Sequence, residues 1–262
     1  MQEEHSKINE MAWNQMAYDA WVYRFGTPNE AAEKIKKDPL SRLGPLKEFL
    51  YEVNGKKIAN LLGSHGNKAV ALALLGADVT VVDFSYENSR YALDLARAAG
   101  TRINYIVSDV LQLPAEELTG DYDVVFAELG ILHYFLDLKP FMEVFKSLLK
   151  PGGKMIIQDF HPISTKLITS KGKKHKVTGD YFKSDIEETD VAYMKYVPGI
   201  ENMSEDEKKA FQKARLRKWT LGEIVTAAAR VGLHIELLKE DENPKPEDKG
   251  IPKLFTLIAS KI

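Results

Sequence analysis

The polar residues best suited to chemistry stand where apolar, strand-like segments end. The stretch NLLGSHG (60–66) contains Gly63 and Gly66, and Asp83 follows Gly63 by twenty residues. Glycines let backbone amides approach a ligand, and the start of the helix that follows favours anionic groups. A carboxylate at the tip of the next strand accepts hydrogen bonds from both hydroxyls of a ribose. This spacing predicts a nucleoside-binding turn; an ordinary strand-to-helix turn is the alternative.

Four more polar residues follow later strand-like segments. Asp109 stands in VSDVLQLP and Glu128 in FAELGILHY, while His133 and His161 come shortly after the fourth and fifth segments. Ligands of doubly wound sheets bind beyond the carboxyl ends of the strands, so we expect these residues at the ligand edge. A histidine there is suited to act as general base toward a hydroxyl or a protonated nitrogen. Helix capping by the acids and simple hydrogen bonding by the histidines are the alternatives.

The segments that carry these residues alternate between strand and helix patterns. Strands are predicted at 56–62, 78–84, 103–109, 122–130 and 154–160, and helices at 68–77, 86–100 and 136–153. Strands this apolar, separated by helices, belong in a parallel sheet that is covered on both faces. Right-handed crossovers then leave essentially a doubly wound sheet.

The C-terminal part adds a helix and a strand over 220–240 and a last strand over 253–261, which makes seven strands. A charged helix is predicted over 204–219, with Ser204 as its N-cap and Glu207 at the capping-box position. The fold class is therefore α/β, with a mostly parallel seven-stranded sheet.

Composition narrows the function classes. The 262 residues are 44% hydrophobic and 28% charged, with a net charge of −2, so the chain can build a core and has no electrostatic reason to require nucleic acid or an anionic membrane. The chain has no cysteine, which excludes disulfides, thiolate zinc sites and cysteine nucleophiles. No apolar stretch approaches a bilayer span, and the N-terminal residues do not resemble a secretory signal. We therefore expect a cytoplasmic protein.

Five motifs within residues 40–160 resemble the core of the class I S-adenosylmethionine-dependent methyltransferases. They are IANLLGSHG, VTVVDFS, IVSDVLQLP, YDVVFAELGILHY and LLKPGGKMIIQDFHP, of which the last is the most specific. The C-terminal segment is similar to the end of small-molecule members of that family. The first motif departs from the family pattern of an acid followed by three spaced glycines. Asn60 replaces the acid, Leu62 and Ser64 replace two glycines, Gly63 is an additional glycine, and Gly66 keeps its place.

The resemblance implies a Rossmann-like methyltransferase fold that binds S-adenosylmethionine and releases S-adenosylhomocysteine. It places Asp83 on the ribose, Phe84 on the adenine ring and Asp109 on the adenine amine. The full set of implied cofactor-binding residues is Gly63, Ser64, His65, Gly66, Asp83, Phe84, Ser85, Asp109, Val110, Leu111, Glu128 and Leu129. His133 and His161 are the candidate catalytic residues, and no metal site is implied.

The resemblance also divides the chain into four parts. These are an N-terminal helical cap (1–39), the cofactor-binding core (40–160), a lid or acceptor-binding insertion (161–218) and a completion of the sheet (219–262). A small-molecule methyl acceptor is favoured, and neither a nucleic acid nor a membrane is expected as a partner. The alternatives are an RNA or protein methyltransferase, for which the Lys166–Lys176 lysine cluster would provide charge, and a non-catalytic cofactor-binding regulator. The oligomeric state and the acceptor atom stay open.

Overall fold

The computed structural model describes residues 1–171, 174–245, 248 and 250–262. Two residues of the lysine-rich stretch, Gly172 and Lys173, lie outside the described residues. Eight α-helices occur in the described part of the chain: α1 (Gln2–Trp13), α2 (Ala17–Phe25), α3 (Pro28–Lys37), α4 (Asn67–Leu74), α5 (Tyr86–Ala99), α6 (Leu138–Leu148), α7 (Glu205–Lys209) and α8 (Leu221–Arg230). None of them is both long enough and apolar enough to cross a membrane.

The strands are β1 (Lys57–Leu61), β2 (Asp78–Asp83), β3 (Asn104–Val107), β4 (Tyr122–Glu128), β5 (Leu149–Phe160), β6 (Ile168–Lys171), β7 (Lys174–Val177), β8 (Ile186–Thr189), β9 (Ala214–Arg217), β10 (Leu233–Glu242) and β11 (Pro252–Lys261). Seven of them form one sheet in the order β10-β11-β5-β4-β1-β2-β3. The pairs β1–β2, β2–β3 and β4–β5 are parallel, whereas β11 runs antiparallel to both β5 and β10. The predicted doubly wound, mostly parallel seven-stranded sheet is confirmed.

The chain divides into two compact units. The first comprises Met1–Pro114 and Glu188–Arg215, and the second comprises Ala115–Glu187 and Leu216–Ile262. In the first unit, helices α2, α3 and α4 pack against α5, and the apolar residues of β1 and β2 are buried. In the second unit, α6 packs against α8, and residues 155–159 of β5 and 255–259 of β11 are buried. The four-part division of the chain stays a prediction.

One predicted helix is wrong over most of its length. The capping box of Ser204 and Glu207 is present as expected, but α7 ends at Lys209 and residues 214–217 form a strand. The reason lies in α1, whose Asn9 side chain accepts from the Arg215 N–H at 2.7 Å and donates to the Arg215 carbonyl at 3.1 Å. Side chains of α1 thus take the backbone groups that a longer helix would pair internally.

The predicted helix over 136–153 is also shorter than expected at both ends. It begins at Leu138, where Asp137 caps the Lys139 N–H at 2.9 Å, and it ends at Leu148. The residues of the Leu-Lys-Pro-Gly-Gly motif belong to the start of β5. Gly153 has no room for a side chain, because a Cβ there would stand 2.8 Å from the Tyr122 carbonyl oxygen. The motif therefore lets β5 approach the start of β4 closely.

Candidate functional site

The loop from Leu62 to Gly66 keeps a glycine-like backbone at the positions where glycine is missing. Leu62 has a φ of 50° and Ser64 a φ of 47°, in the left-handed region that residues with a side chain rarely adopt. Gly66, at the last position of the loop, has a φ of 75°. Left-handed residues other than glycine cost of order 1–3 kcal/mol each and persist where their surroundings hold them in place. The altered motif thus preserves the shape of a glycine-rich loop at some cost in stability.

Two side chains hold Ser64 in this conformation. The Ser64 N–H donates to the Asp83 carboxylate at 3.0 Å, and the Tyr105 hydroxyl donates to the Ser64 carbonyl at 2.8 Å. Asp83 lies at the end of β2 and is buried, and it also accepts from the Ser85 N–H at 2.8 Å and from the Asn88 amide at 3.3 Å. Burial raises the pKa of Asp83 to about 6, and the three hydrogen bonds oppose that rise. The spacing of twenty residues between Gly63 and Asp83 therefore corresponds to a direct hydrogen bond between the loop and the acid.

His65 is held as a neutral imidazole between aromatic rings. Its ring centroid lies 4.7 Å from those of both Trp21 and Phe25. Desolvation lowers the pKa of His65 to about 3, and the positive charges of Arg24 and Lys68 act in the same direction. The ring therefore carries no charge at neutral pH, and its Nδ1 accepts from the Asn67 N–H at 3.4 Å.

The glycines of the loop are required by packing inside the protein. A Cβ on Gly63 would lie 2.6 Å from the Val81 side chain and 2.7 Å from the Asn60 amide oxygen. A Cβ on Gly66 would lie 2.6 Å from the Ala92 Cβ on α5. The sequence predicted that Gly66 lets a ligand approach the backbone, whereas the near neighbour in the structure is Ala92 of α5.

Two polar atoms of the loop region have no hydrogen-bond partner within the described chain. The Ser64 hydroxyl oxygen and the Asn67 side-chain oxygen are both buried and unpaired. Buried polar atoms are normally satisfied, so unpaired ones call for a ligand or a water molecule. A bound amino acid moiety, which has an ammonium group as donor and a carboxylate as acceptor, fits this pair. The donors and acceptors present therefore suit the methionine end of S-adenosylmethionine.

The remaining predicted residues of the first unit lie at the ends of β2 and β3. Phe84 is partly exposed, whereas Ser85 is fully buried and caps α5, its hydroxyl accepting from the Asn88 N–H at 3.1 Å. Asp109 is partly exposed and accepts from the Leu111 N–H at 3.0 Å, which caps a short 3-10 turn that includes the buried Val110. Asp83 pairs with Val107 in the parallel register, so Asp109 follows two residues beyond its partner. Their roles toward a cofactor stay predictions.

The turn that follows β4 in the second unit is organised by a carboxylate that the motif analysis missed. Asp159 is buried, and its two oxygens accept from the N–H groups of Gly130 at 2.5 Å, Ile131 at 3.2 Å and Leu132 at 3.1 Å. Glu128 is partly exposed at the end of β4, and Leu129 is 42% exposed with a φ of 54°. An acid at the penultimate position of β5 was the available signal for Asp159.

His133 lies just after this turn and lines a cavity of about 220 Å³. The cavity has mostly apolar walls, including Phe160, Trp219 and Phe255, and Lys218 contributes a positive charge. Desolvation lowers the pKa of His133 to about 4, the Asp159 charge opposes this, and the Lys218 charge adds to it. His133 is therefore a neutral group with access to a small apolar cavity.

His161, in contrast, has both ring nitrogens bonded inside the protein. Its Nε2 lies 2.6 Å from the Glu240 carboxylate, and its Nδ1 accepts from the Ile163 N–H at 3.1 Å. The Nδ1 contact makes Nε2 the nitrogen that carries the proton and donates it to Glu240. The His161 side chain is 2% exposed. Of the two predicted catalytic histidines, the geometry thus favours His133.

The described residues contain no group of three or more His, Cys, Asp or Glu side chains that would hold a metal ion.

Comparison with known proteins agrees with the geometry of the loop. Residues 62–157 match the family described as a methyltransferase domain. This match agrees with the resemblance of the segment to the S-adenosylmethionine-dependent methyltransferases. The matched segment contains the loop, Asp83, Asp109 and the turn after β4, and so most of the residues on which the predicted site depends.

Curated relatives are similar over part of the chain. The ubiquinone biosynthesis O-methyltransferase of Xanthomonas euvesicatoria is 30% identical over 123 residues, which cover 45% of this chain and 51% of the relative. The protein of the same name from Pectobacterium atrosepticum is 27% identical over 210 residues, 77% of each chain. The match thus spans about half the length of the first of these relatives.

Solved structures share the fold. An S-adenosylmethionine-dependent methyltransferase from Mesorhizobium loti superposes with a TM-score of 0.60 at 21% identity, covering 82% of this chain and 97% of that one. The magnesium protoporphyrin IX methyltransferase of Synechocystis PCC 6803, solved with bound SAH, gives 0.56 at 15% identity and covers 98% and 100% of the two chains. At these identities the likeness concerns the fold.

Proposed function

We propose that this protein is an enzyme that transfers the methyl group of S-adenosylmethionine to a small-molecule acceptor. The observation that carries the proposal is the bond between Asp83 and the left-handed Ser64, which joins the acid proposed to bind the ribose to a loop with unpaired polar atoms. A nucleoside with an amino acid end matches both parts of this arrangement. S-adenosylmethionine is such a molecule, and several structural neighbours are described as depending on it.

Within this proposal the first unit binds the cofactor. Asp83 accepts from the ribose hydroxyls, Phe84, Val110 and Leu111 pack around the adenine, and Asp109 accepts from its exocyclic amine. Ser64, His65 and the backbone of the loop hold the methionine end. The bound cofactor would supply an electrophilic methyl group on a sulfonium, and the chain's residues orient it and exclude water.

The acceptor is proposed to be a small molecule with an acidic oxygen. The cavity beside His133 is ring-sized and mostly apolar, with one lysine, which suits a planar apolar molecule carrying a partial negative charge. A histidine with a pKa of about 4 is a weak base, so it serves an acidic hydroxyl such as a phenol better than an aliphatic alcohol. A carboxylic acid is already ionised at neutral pH and needs no base. The relatives named O-methyltransferases support oxygen as the methylated atom. The insertion over 161–218 is proposed to enclose this acceptor.

Methyl transfer tests the proposal directly. The protein is incubated with S-adenosylmethionine labelled on the methyl group and with matched panels of phenols, carboxylic acids and aliphatic alcohols of similar size, and the products are read by mass spectrometry. Label is expected in members of the first two panels, and loss of turnover is expected in His133→Ala with cofactor affinity retained. Cofactor binding without label transfer to any panel would instead favour a non-catalytic binding protein.

A further inference from the structure

We propose that Asp159 is a positioning residue, which holds the turn from Leu129 to Leu132 in the shape that places His133 at the cavity. The expected effect on catalysis rests on the proposed function. The role of Asp159 in shaping the turn rests only on hydrogen bonds within the second unit. Asp159 lies within the fifth motif but is not among the site residues that the resemblance implies.

Consecutive N–H groups of the turn all donate hydrogen bonds to one carboxylate. Gly130, Ile131 and Leu132 are consecutive, and all three N–H groups point at the Asp159 carboxylate; the Phe160 N–H adds a fourth bond at 2.7 Å. Such a concave arrangement of successive backbone amides is an anion-binding site, here filled by a side chain of the same chain. Buried amides that lose this acceptor would each lack a partner, since Asp159 is only 6% exposed.

The end of the turn is held by a donor to its carbonyl side. The Trp219 indole N–H donates to the Leu132 carbonyl at 3.0 Å, and Arg217 donates at 2.5 Å to the carbonyl of Leu136, which follows the turn. The Arg217 guanidinium lies 3.5 Å from the centre of the Trp219 ring. Asp159 therefore binds the N–H groups of the turn, while a separate donor binds its carbonyl side. Removing Asp159 leaves that second contact in place.

The link from the turn to His133 runs through Gly130. A Cβ on Gly130 would lie 3.2 Å from the His133 Cε1, so the ring rests against this glycine. Gly130 and Leu129 have φ values of 82° and 54°, and this left-handed pair is bonded through the Gly130 N–H to Asp159. Asp159 also lines the same cavity as His133. Loss of the carboxylate is thus expected to move the ring away from its present position.

The perturbation is Asp159→Ala, with formate as the probe, because formate can refill the backbone anion site that the substitution empties. The matched control is Asp137→Ala, which removes a carboxylate that caps a single N–H at the start of α6. In Asp159→Ala, kcat is expected to fall about 10- to 100-fold, as for a misplaced catalytic group, with a smaller change in the acceptor KM. Added formate should restore part of kcat in Asp159→Ala and none in Asp137→Ala.

Amide NMR spectra test the role of Asp159 in shaping the turn without any measurement of turnover. Formate should shift the amide signals of Gly130, Ile131 and Leu132 in Asp159→Ala, and should leave them unchanged in the wild-type protein. If Asp159→Ala does not fold, Asp159→Asn takes its place, and the readout is the titration of the His133 ring, which should move to lower pH because a negative charge has been removed.

The outcomes separate the two proposals. If the wild-type protein transfers no methyl group, but formate shifts these amides in Asp159→Ala and returns the His133 ring signal of that variant to its wild-type position, the proposed function is defeated and the role of Asp159 is supported. The positioning role is overturned if formate leaves the amides unchanged, if Asp159→Ala retains the kcat of Asp137→Ala, or if Asp159→Asn folds and leaves the His133 titration unchanged.

Discussion

Gly66 and Gly100 form a matched pair for measuring what the cofactor loop requires. The two residues have nearly the same backbone conformation, with φ values of 75° and 73°. A Cβ on Gly66 would lie 2.6 Å from the Ala92 Cβ and 3.3 Å from the Ala92 Cα, whereas a Cβ on Gly100 would meet nothing within 4 Å. Alanine at either position therefore has the same conformational strain, and only alanine at Gly66 also has a steric conflict.

The expected changes in the free energy of unfolding follow from the conformational strain and the steric conflict. The left-handed conformation costs an alanine roughly 1–2 kcal/mol, part of which is offset because glycine loses about 0.5–1 kcal/mol more than alanine in ordering the unfolded chain. Gly100→Ala should thus lower the free energy of unfolding by about 1 kcal/mol. Forcing a methyl group into a packed contact adds typically 1–3 kcal/mol. Gly66→Ala should therefore destabilise the protein by about 2–4 kcal/mol.

The assay is urea-induced unfolding followed by tryptophan fluorescence, with cofactor affinity measured on the same samples. A second variant, Gly66→Ala with Ala92→Gly, removes the methyl group that Gly66→Ala strikes. The relief of this contact should exceed the roughly 1 kcal/mol that glycine costs in a helix. The double variant should therefore have a higher free energy of unfolding than Gly66→Ala. Equal destabilisation by Gly66→Ala and Gly100→Ala would refute the packing argument, and so would a failure of Ala92→Gly to compensate.

Five further predictions concern Asp83, the two histidines, Ser64 and the 161–218 segment. Because the pKa of folded Asp83 is about 6, above its ordinary 3.8, the free energy of unfolding should rise as pH falls from 7 toward 4, and Asp83→Asn should abolish that gain in urea titrations. Cofactor affinity, measured by calorimetry, should fall over the same range as the carboxylate is protonated. The ring signals of His65 and His133 should not titrate between pH 8 and about 5.5 in NMR spectra, since their pKa values are about 3 and 4. Ser64→Gly should be neutral or slightly stabilising in thermal unfolding, and the 161–218 segment should resist proteolysis better with cofactor and acceptor than without.

Much of the fold could be predicted because its strands are apolar and its turns carry specific residues. The strand at 78–83 and the helix that ends at Gly100 lie within one or two residues of their expected bounds. The distance from Gly63 to Asp83 placed the acid at the end of β2, next to the loop. Local pattern and spacing decide such features, so one sequence is sufficient to find them.

Other features depend on distant side chains and were beyond local pattern. The helix expected over 204–219 loses its C-terminal half to hydrogen bonds from Asn9, about 200 residues earlier in the chain. Asp159 acts on backbone groups about 30 residues before it, which no motif spacing reports. The different environments of His133 and His161 likewise arise from Lys218 and Glu240, whose proximity only the folded chain reveals.

Calorimetry with S-adenosylhomocysteine, using Asp83→Ala and the control Asp78→Ala, tests the central claim most directly. Asp78 is an exposed carboxylate at the opposite end of the same strand. The wild-type protein and Asp78→Ala should bind S-adenosylhomocysteine alike, and NAD should bind to neither. Asp83→Ala should weaken binding by roughly 1.5–3 kcal/mol, about 10- to 150-fold, through loss of a charge-assisted contact to the ribose. Wild-type affinity in Asp83→Ala, or no binding of S-adenosylhomocysteine by the wild-type protein, would contradict the account.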